Sequence, residues 1–248
     1  PQALVVVSIP AGRASAWQVD LPFSDRKRIE QTIGFELENY VPWDLDDVVL
    51  DYEVMESSGD GARVFAVMVP RERVGELLAN LRRYKVDPRF VTVDAAELAR
   101  LVPPSDECEV VLDIGSSRTL ICVVQDGRPL WIRSLDVGAD SFGDDVDLGP
   151  WLLQVRASLI AAEESGAPTI DAALLCGGGS RIEGICEELA EDLGIDVELL
   201  ELPESPVNPD MAPQPEPEHA LAYALALKGF AARDRVGTNL RKGEFSWK

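Results

Sequence analysis

The sequence predicts an α/β protein, built as one two-lobed unit or two small domains and including a compact α+β module, and three stretches predict it. Residues Val110 to Val124 read as two apolar strands joined by a short turn that opens on Asp113 and Gly115. Residues Ile170 to Leu200 read as strand, glycine turn, capped helix and strand, and residues 13 to 86 read β-α-β-β-α. At 248 residues, 46% hydrophobic and 27% charged, the chain can bury a sizeable core and is too apolar to be disordered.

Ala3 to Ile9 and Ala14 to Leu21 are expected as strands around a Pro10-Ala11-Gly12-Arg13 turn, the first continuously apolar and the second alternating. Ser24 is the expected N-cap of a helix that sets Ile29, Ile33, Leu37 and Tyr40 on one stripe, and Pro42 stops it. The other face of this helix carries Arg26, Lys27, Arg28, Glu30, Glu36 and Glu38. Val48 to Met55 and Arg63 to Val69 form a hairpin across the glycine-rich Ser57 to Gly61. A helix from Glu72 to Tyr84 then turns Val74, Leu77, Leu78, Leu81 and Tyr84 inward. Arg89 to Val93 is a short strand, Asp94 caps a helix with Glu97 reciprocating, and Pro103 and Pro104 break that helix.

A third strand, Leu130 to Val137, follows the Asp126-Gly127 hairpin turn. After an acidic stretch from Gly138 to Gly149, Pro150 suits the first position of a helix whose Trp151, Leu152, Val155 and Leu159 share a face. Ile170 to Leu175 is a strand and Cys176 to Gly179 a turn. Ser180 with Glu183 makes a capping box for a helix through Leu193, closed by Gly194. Pro203 to Pro217 holds six of the 17 prolines and reads as an irregular loop. An Ala- and Leu-rich helix, His219 to Ala232, ends the regular structure.

Charge removes several function classes. A net charge of −21 argues against nucleic-acid binding, which needs clustered Lys and Arg to neutralise phosphates. Cys108, Cys122, Cys176 and Cys186 lack CxxC spacing and lie mostly in apolar runs, so a reducing compartment is expected and a zinc site is not. No run of about 18 apolar residues spans a bilayer. The opening directly on a strand, without methionine, suggests a piece of a longer chain. From Lys228 to Lys248 the six basic residues Lys228, Arg233, Arg235, Arg241, Lys242 and Lys248 face only Asp234 and Glu244. With Phe245 and Trp247 nearby, this stretch has the composition of the cytoplasmic edge of a transmembrane helix, though a frayed polar tail would read the same way.

Two turns carry candidate chemistry. At the first, Gly115 lets another group approach the backbone, Ser116, Ser117 and Thr119 offer hydroxyls and amides to a phosphate, and Asp113 could face Mg²⁺. An ordinary hairpin turn has the same sequence requirements. At the second, Gly177, Gly178 and Gly179 end a strand and feed a helix at Ser180, which leaves backbone N–H groups and a positive helix end at one point. Tight strand-to-helix packing in any α/β fold would also use such glycines.

In this order, the two turns resemble those of the actin-like ATPase superfamily, in which a DxG turn holds phosphate and a later GG turn holds adenosine. The resemblance is nearest to the PilM branch of type IV pilus assembly proteins and to the cytoplasmic domain of the type II secretion L protein (GspL). It rests on Leu21-Pro22-Phe23 with Glu30, Phe35-Glu36-Leu37-Glu38, Tyr40-Val41-Pro42 with Leu50-Asp51-Tyr52, and Val93-Asp94, and then on Val111 to Gly115 and Cys176 to Gly184. Asn239-Leu240-Arg241-Lys242-Gly243-Glu244-Phe245 resembles the ending that secretion L proteins carry before their transmembrane helix.

The resemblance implies an actin-like (ribonuclease H-like) two-lobed fold with an inserted FtsA/PilM-type α+β subdomain, the N-terminal part of the first lobe being absent from this chain. Residues 1–12 and 87–107 would be the rest of that lobe, 13–86 the inserted subdomain, 108–232 the second lobe and 233–248 a juxtamembrane tail. It implies a scaffold without catalytic residues or metal, on the cytoplasmic face of the bacterial inner membrane, that recruits the secretion ATPase GspE. GspM, GspF and a second copy of the chain would be further partners, and a transmembrane helix outside this chain would anchor it. The alternative is a nucleotide-binding assembly protein of a type IV pilus system. On the scaffold reading Asp113, Gly115, Ser116, Thr119, Gly177, Gly178, Gly179 and Ser180 would be a degenerate ATP/Mg²⁺ site, because only one of the two DxG turns is present and the acidic Asp140, Asp144, Asp145 and Asp147 repel a triphosphate. The alternative would use Asp113 for Mg²⁺ and the glycines of 177 to 179 for adenine. Glu36, Asp44, Asp46 and Asp47 are the candidate partner surface. Arg241, Lys242, Phe245 and Trp247 are the candidate membrane edge.

Overall fold

Two units divide the chain: residues 1–93 with 231–248, and residues 94–230. The computed structural model describes residues 4–142, 147–206, 215–231 and 237–247. Asp144 and Asp145 of the acidic stretch, Arg233, Arg235 and Lys248 of the tail, Ala3, Ala232 and the middle of the proline-rich loop lie outside the described residues.

The first unit is built on an antiparallel sheet in the order β2 (Ser15–Leu21), β4 (Gly61–Pro70), β3 (Val48–Ser58), beside a parallel pair of β1 (Val6–Ile9) and β5 (Phe90–Val93). β4 is central, so both of its edges are paired, and the unbroken burial of Val64 to Val69 shows that both of its faces are covered as well. On one face α1 (Arg26–Leu37) lays Ile29, Ile33 and Leu37 over Ala62, Val64, Ala66 and Met68. Each of these three side chains contributes about 1.5–3 kcal/mol by leaving water. α2 (Arg71–Arg83) touches β4 and buries Val74 and Leu78.

Helix ends depart from the expectation. Asp25, not Ser24, caps α1 by accepting from the Arg28 N–H at 2.9 Å, since it stands one residue nearer the first helical turn. Tyr40 leaves the apolar stripe and is exposed, because the chain has already tightened into a 3₁₀ turn at Glu38–Tyr40. Tyr84 likewise points outward at 80% exposure, beyond the last turn of α2.

The second unit holds a five-stranded sheet, β10 (Asp196–Leu199), β9 (Ala172–Cys176), β6 (Glu109–Ile114), β7 (Thr119–Gln125) and β8 (Arg128–Leu135), in that spatial order. β6, β7 and β8 form an antiparallel meander, whereas β9 joins β6 in parallel and β10 joins β9. β8 ends two residues before the expected Val137. α4 (Gly149–Glu164) buries Trp151, Val155 and Leu159 as its periodicity requires. α3 (Asp94–Glu97) is a single turn continued by a 3₁₀ turn at Leu98–Leu101.

The capping box expected at Ser180 and Glu183 is absent. Asp94 lies inside α3 and accepts from the next residue's N–H, Ala95, at 2.8 Å, while Glu97 is bonded to Lys228 and Arg100. The residues from Gly178 to Arg181 form a 3₁₀ turn, and α5 (Ile185–Leu193) starts only after Gly184, whose left-handed conformation serves as its N-cap. Gly194 closes α5 as expected. α6 (Ala220–Lys228) completes the unit. Among the described residues no helix is long and apolar enough to cross a membrane, and no cluster of three or more His, Cys, Asp or Glu could hold a metal.

Candidate functional site

Parallel pairing of β6 with β9 sets Asp113 opposite Cys176, so the two glycine-bearing turns lie side by side at the same end of the sheet. Gly177 has φ +82°, and a Cβ there would lie 2.3 Å from Asp113 Oδ1 and 2.6 Å from the Ile114 carbonyl oxygen. No other residue fits this approach. Gly178, Gly179 and Ser180 follow in the 3₁₀ turn, where the Ser180 hydroxyl donates back to the Gly177 carbonyl at 2.8 Å and is buried. The Gly177 N–H donates to the Pro217 carbonyl at 3.0 Å, and Arg181 pairs with Glu216 and Glu218.

The Asp113 turn is satisfied mostly from within. The Gly115 N–H donates to the Arg118 carbonyl at 2.9 Å. The carbonyls of Gly115 and Ser116 accept from Ala139 at 2.9 Å and Asp140 at 2.8 Å, which brings Gly138 so close that a Cβ on it would meet Arg118 N at 2.5 Å. The Thr119 hydroxyl is fully buried; it donates to the Val137 carbonyl at 2.9 Å and accepts from the Trp151 indole N–H at 3.0 Å. Sequence reading offered this hydroxyl to a ligand, but its direction depends on a tryptophan 32 residues away. Ser116 and Ser117 remain at the surface.

Two carboxylates and one cation meet beside the turn. Burial pushes the Asp113 carboxyl up to about 6, the nearby Asp94 raises it further, and Arg118 opposes both. Arg118 Nη2 stands 3.6 Å from Asp94 Oδ2. As a helix cap, Asp94 would have been spent locally; instead it joins this cluster through the short α3.

The other candidate residues belong to the first unit. Glu36, Asp44, Asp46 and Asp47 are all exposed, the three aspartates being grouped around a 3₁₀ turn at Leu45–Asp47. Beside them runs a groove of about 290 Å³ with a mixed lining, in which Phe35, Leu45, Val48 and Leu50 stand with Glu30, Gln31, Arg71 and Lys242. Lys242 is tied to Asp51 at 2.6 Å, and Arg71 to Glu244 at 2.6 Å and to the Asp46 carbonyl at 2.6 Å.

The tail packs against this unit. Leu240 is fully buried, its N–H donates to the Val91 carbonyl at 2.7 Å, and the Asn239 N–H donates to Asp51 Oδ2 at 2.6 Å. Arg241 is buried and reaches Asp87 at 2.8 Å. Phe245 lies over Gly75 and Trp247 under the Arg89 guanidinium, 5.4 Å from it. Nothing in the local sequence pattern signals these long-range partners.

A family model described as type IV pilus assembly protein PilM matches residues 2–147. The structure is similar to one titled PilM-PilN type IV pilus biogenesis complex, at 24% identity and a TM-score of 0.74, covering 92% of this chain and 80% of that one. It is also similar to the cytoplasmic domain of EpsL, an inner membrane component of the type II secretion system of Vibrio cholerae. There the identity is 18% and the TM-score 0.57, covering 99% of this chain and 80% of that one. The architecture is that of the actin-like ATPase fold.

Proposed function

We propose, because the chain belongs to the type IV pilus assembly protein PilM family, that it is a non-enzymatic scaffold of a type II secretion inner-membrane platform, recruiting the secretion ATPase GspE from the cytoplasmic face. The observation that carries the non-enzymatic reading is the inward commitment of two donors of the Asp113 turn. Thr119 is bonded to Val137 and Trp151, and Gly115 to Arg118, which leaves Ser116 and Ser117 as the exposed ones. Without a cation between them, the carboxylates of Asp113 and Asp94 repel a phosphate. The site is read as degenerate on these grounds.

The secretion reading is supported by the likeness to the EpsL domain over 99% of this chain and by the Asn239 to Phe245 segment. On this reading GspM, GspF and a second copy are further partners, and a helix outside this chain provides the membrane anchor. GspE docks at Glu36, Asp44, Asp46 and Asp47, where exposed carboxylates suit a basic segment beside a partly apolar groove. Pull-down of the ATPase by Asp46→Lys with Asp47→Lys is expected to fall at least about tenfold; undiminished capture removes this surface.

A second reading, a nucleotide-binding assembly protein of the pilus kind, is favoured by the family match across the Asp113 turn. Titration calorimetry with Mg-ATP separates the two. No heat is expected at micromolar protein, whereas micromolar binding abolished by Asp113→Ala would replace the scaffold reading with this one.

A further inference from the structure

We propose that the C-terminal end of α2 is a docking surface for an anionic membrane, seating the first unit directly on lipid headgroups. The inference rests on the inner-membrane reading above, and adds a contact made by the folded domain itself.

Arg82, Arg83, Lys85 and Arg89 stand within eight residues and are all exposed. Among the described residues none of the four is in an ion pair. The one acid from Leu77 to Phe90 is Asp87, and Arg241 already neutralises it at 2.8 Å. In a chain of net charge −21 this is a local excess of cations, whereas the other such run, Arg26 to Arg28, is flanked by Asp25 and Glu30. It is also shaped to face outward. Lys85 has φ +60°, its N–H donates to the Arg82 carbonyl and the Val86 N–H to the Leu81 carbonyl, so the helix ends in a tight left-handed turn. The cations therefore crown a convex helix end, not a groove that would enclose a peptide.

Apolar and aromatic groups surround them. Tyr84 is 80% exposed, Leu4 44% and Trp247 45%, and Trp247 stacks with Arg89, whose N–H donates to the Val5 carbonyl. Tyrosine and tryptophan beside Lys and Arg is the composition that settles at the headgroup level of a bilayer. The rest of the acidic surface does not prevent approach, because at physiological salt charges beyond about 8 Å from the lipid are screened.

Flotation of the protein with phosphatidylglycerol-containing vesicles, in the absence of any partner, tests the surface. Binding is expected at physiological salt, and is expected to vanish on pure phosphatidylcholine and at about 0.5 M NaCl. Each cation near the surface contributes about fivefold, so Arg82→Glu, Arg83→Glu and Lys85→Glu together should weaken binding at least about a hundredfold. Tyr84→Ala and Trp247→Ala should each weaken it less. Reversing Arg26, Lys27 and Arg28, exposed cations flanked by Asp25 and Glu30, should leave it unchanged. Failure to bind anionic vesicles, equal loss with the Arg26–Arg28 variant, or no loss with the α2 variant would overturn the proposal. So would capture of an acidic polyglutamate peptide, without vesicle binding, by the same residues. GspE pull-down is scored separately, so this surface can fail while the scaffold reading stands, and the reverse.

Discussion

Lys228 donates to Glu97 Oε1 over 2.8 Å with both side chains withdrawn from solvent, so the last turn of α6 is fixed to α3 by a charge pair in the interior of the second unit. Arg100 holds the other carboxylate oxygen. The pair bridges residues 131 apart in sequence.

Removing one partner leaves the other's buried charge less well compensated. Glu97→Gln, which takes the carboxylate from both Lys228 and Arg100, should cost about 3–5 kcal/mol, and Lys228→Ala, after which Arg100 still holds Glu97, should cost less. Urea unfolding of both single variants, and of the double variant Glu97→Leu with Lys228→Met, checks this. The double variant should be markedly less destabilised than the sum of the singles.

Asp113 predicts a pH dependence. Its folded carboxyl titrates at about 6 against an ordinary 3.8, so the folded state keeps a proton that the unfolded state has already released. The stability this group contributes is full below about 4 and is lost as pH rises through about 6. Asp113→Asn should therefore be more stable than the parent by about 2–3 kcal/mol at pH 7.5, with the gap closing at pH 4. Melting temperatures across this range measure it; a gap independent of pH would contradict the assignment.

Thr119→Val removes a donor to Val137 and the acceptor for the Trp151 indole while keeping side-chain volume. Two buried polar groups lose their partner, for about 2–3 kcal/mol. Trp151→Phe in the same background should cost less than it does alone, a coupling that a double-mutant cycle reads directly.

Leu240→Ala opens a cavity in the first unit and should cost about 2–5 kcal/mol. Asp51→Asn should loosen residues 239–242 by weakening the bonds to the Asn239 N–H and to Lys242. Hydrogen exchange at the Leu240 amide is the direct measure, and it should quicken in both variants.

Much of the architecture was legible because burial is periodic. The Ile29, Ile33 and Leu37 stripe and the apolar runs of β6 and β7 needed only local pattern. The juxtaposition of the two turns came only with the parallel pairing of β6 and β9, which no local pattern shows. What escaped was decided by geometry at ends or by distant partners. Asp25 and Ser24 are equally good caps in sequence, and the last turn of α2 alone determines that Tyr84 faces outward. Thr119 looked like a ligand donor because nothing near it reveals Trp151. Arg241 and Lys242 looked free until Asp87 and Asp51 were brought beside them by the fold.

The bonds from Asn239 to Asp51 and Val91 join residues 188 and 148 apart in the chain, and Leu240 adds one to Val91. During synthesis β1 to β5 leave the ribosome long before their closing segment exists. The second unit, whose residues are contiguous, can finish folding first, while the first waits as an open intermediate with Val91 and Asp51 uncovered. A nascent chain stalled before Asn239 should accordingly hold one protease-resistant unit and one sensitive one.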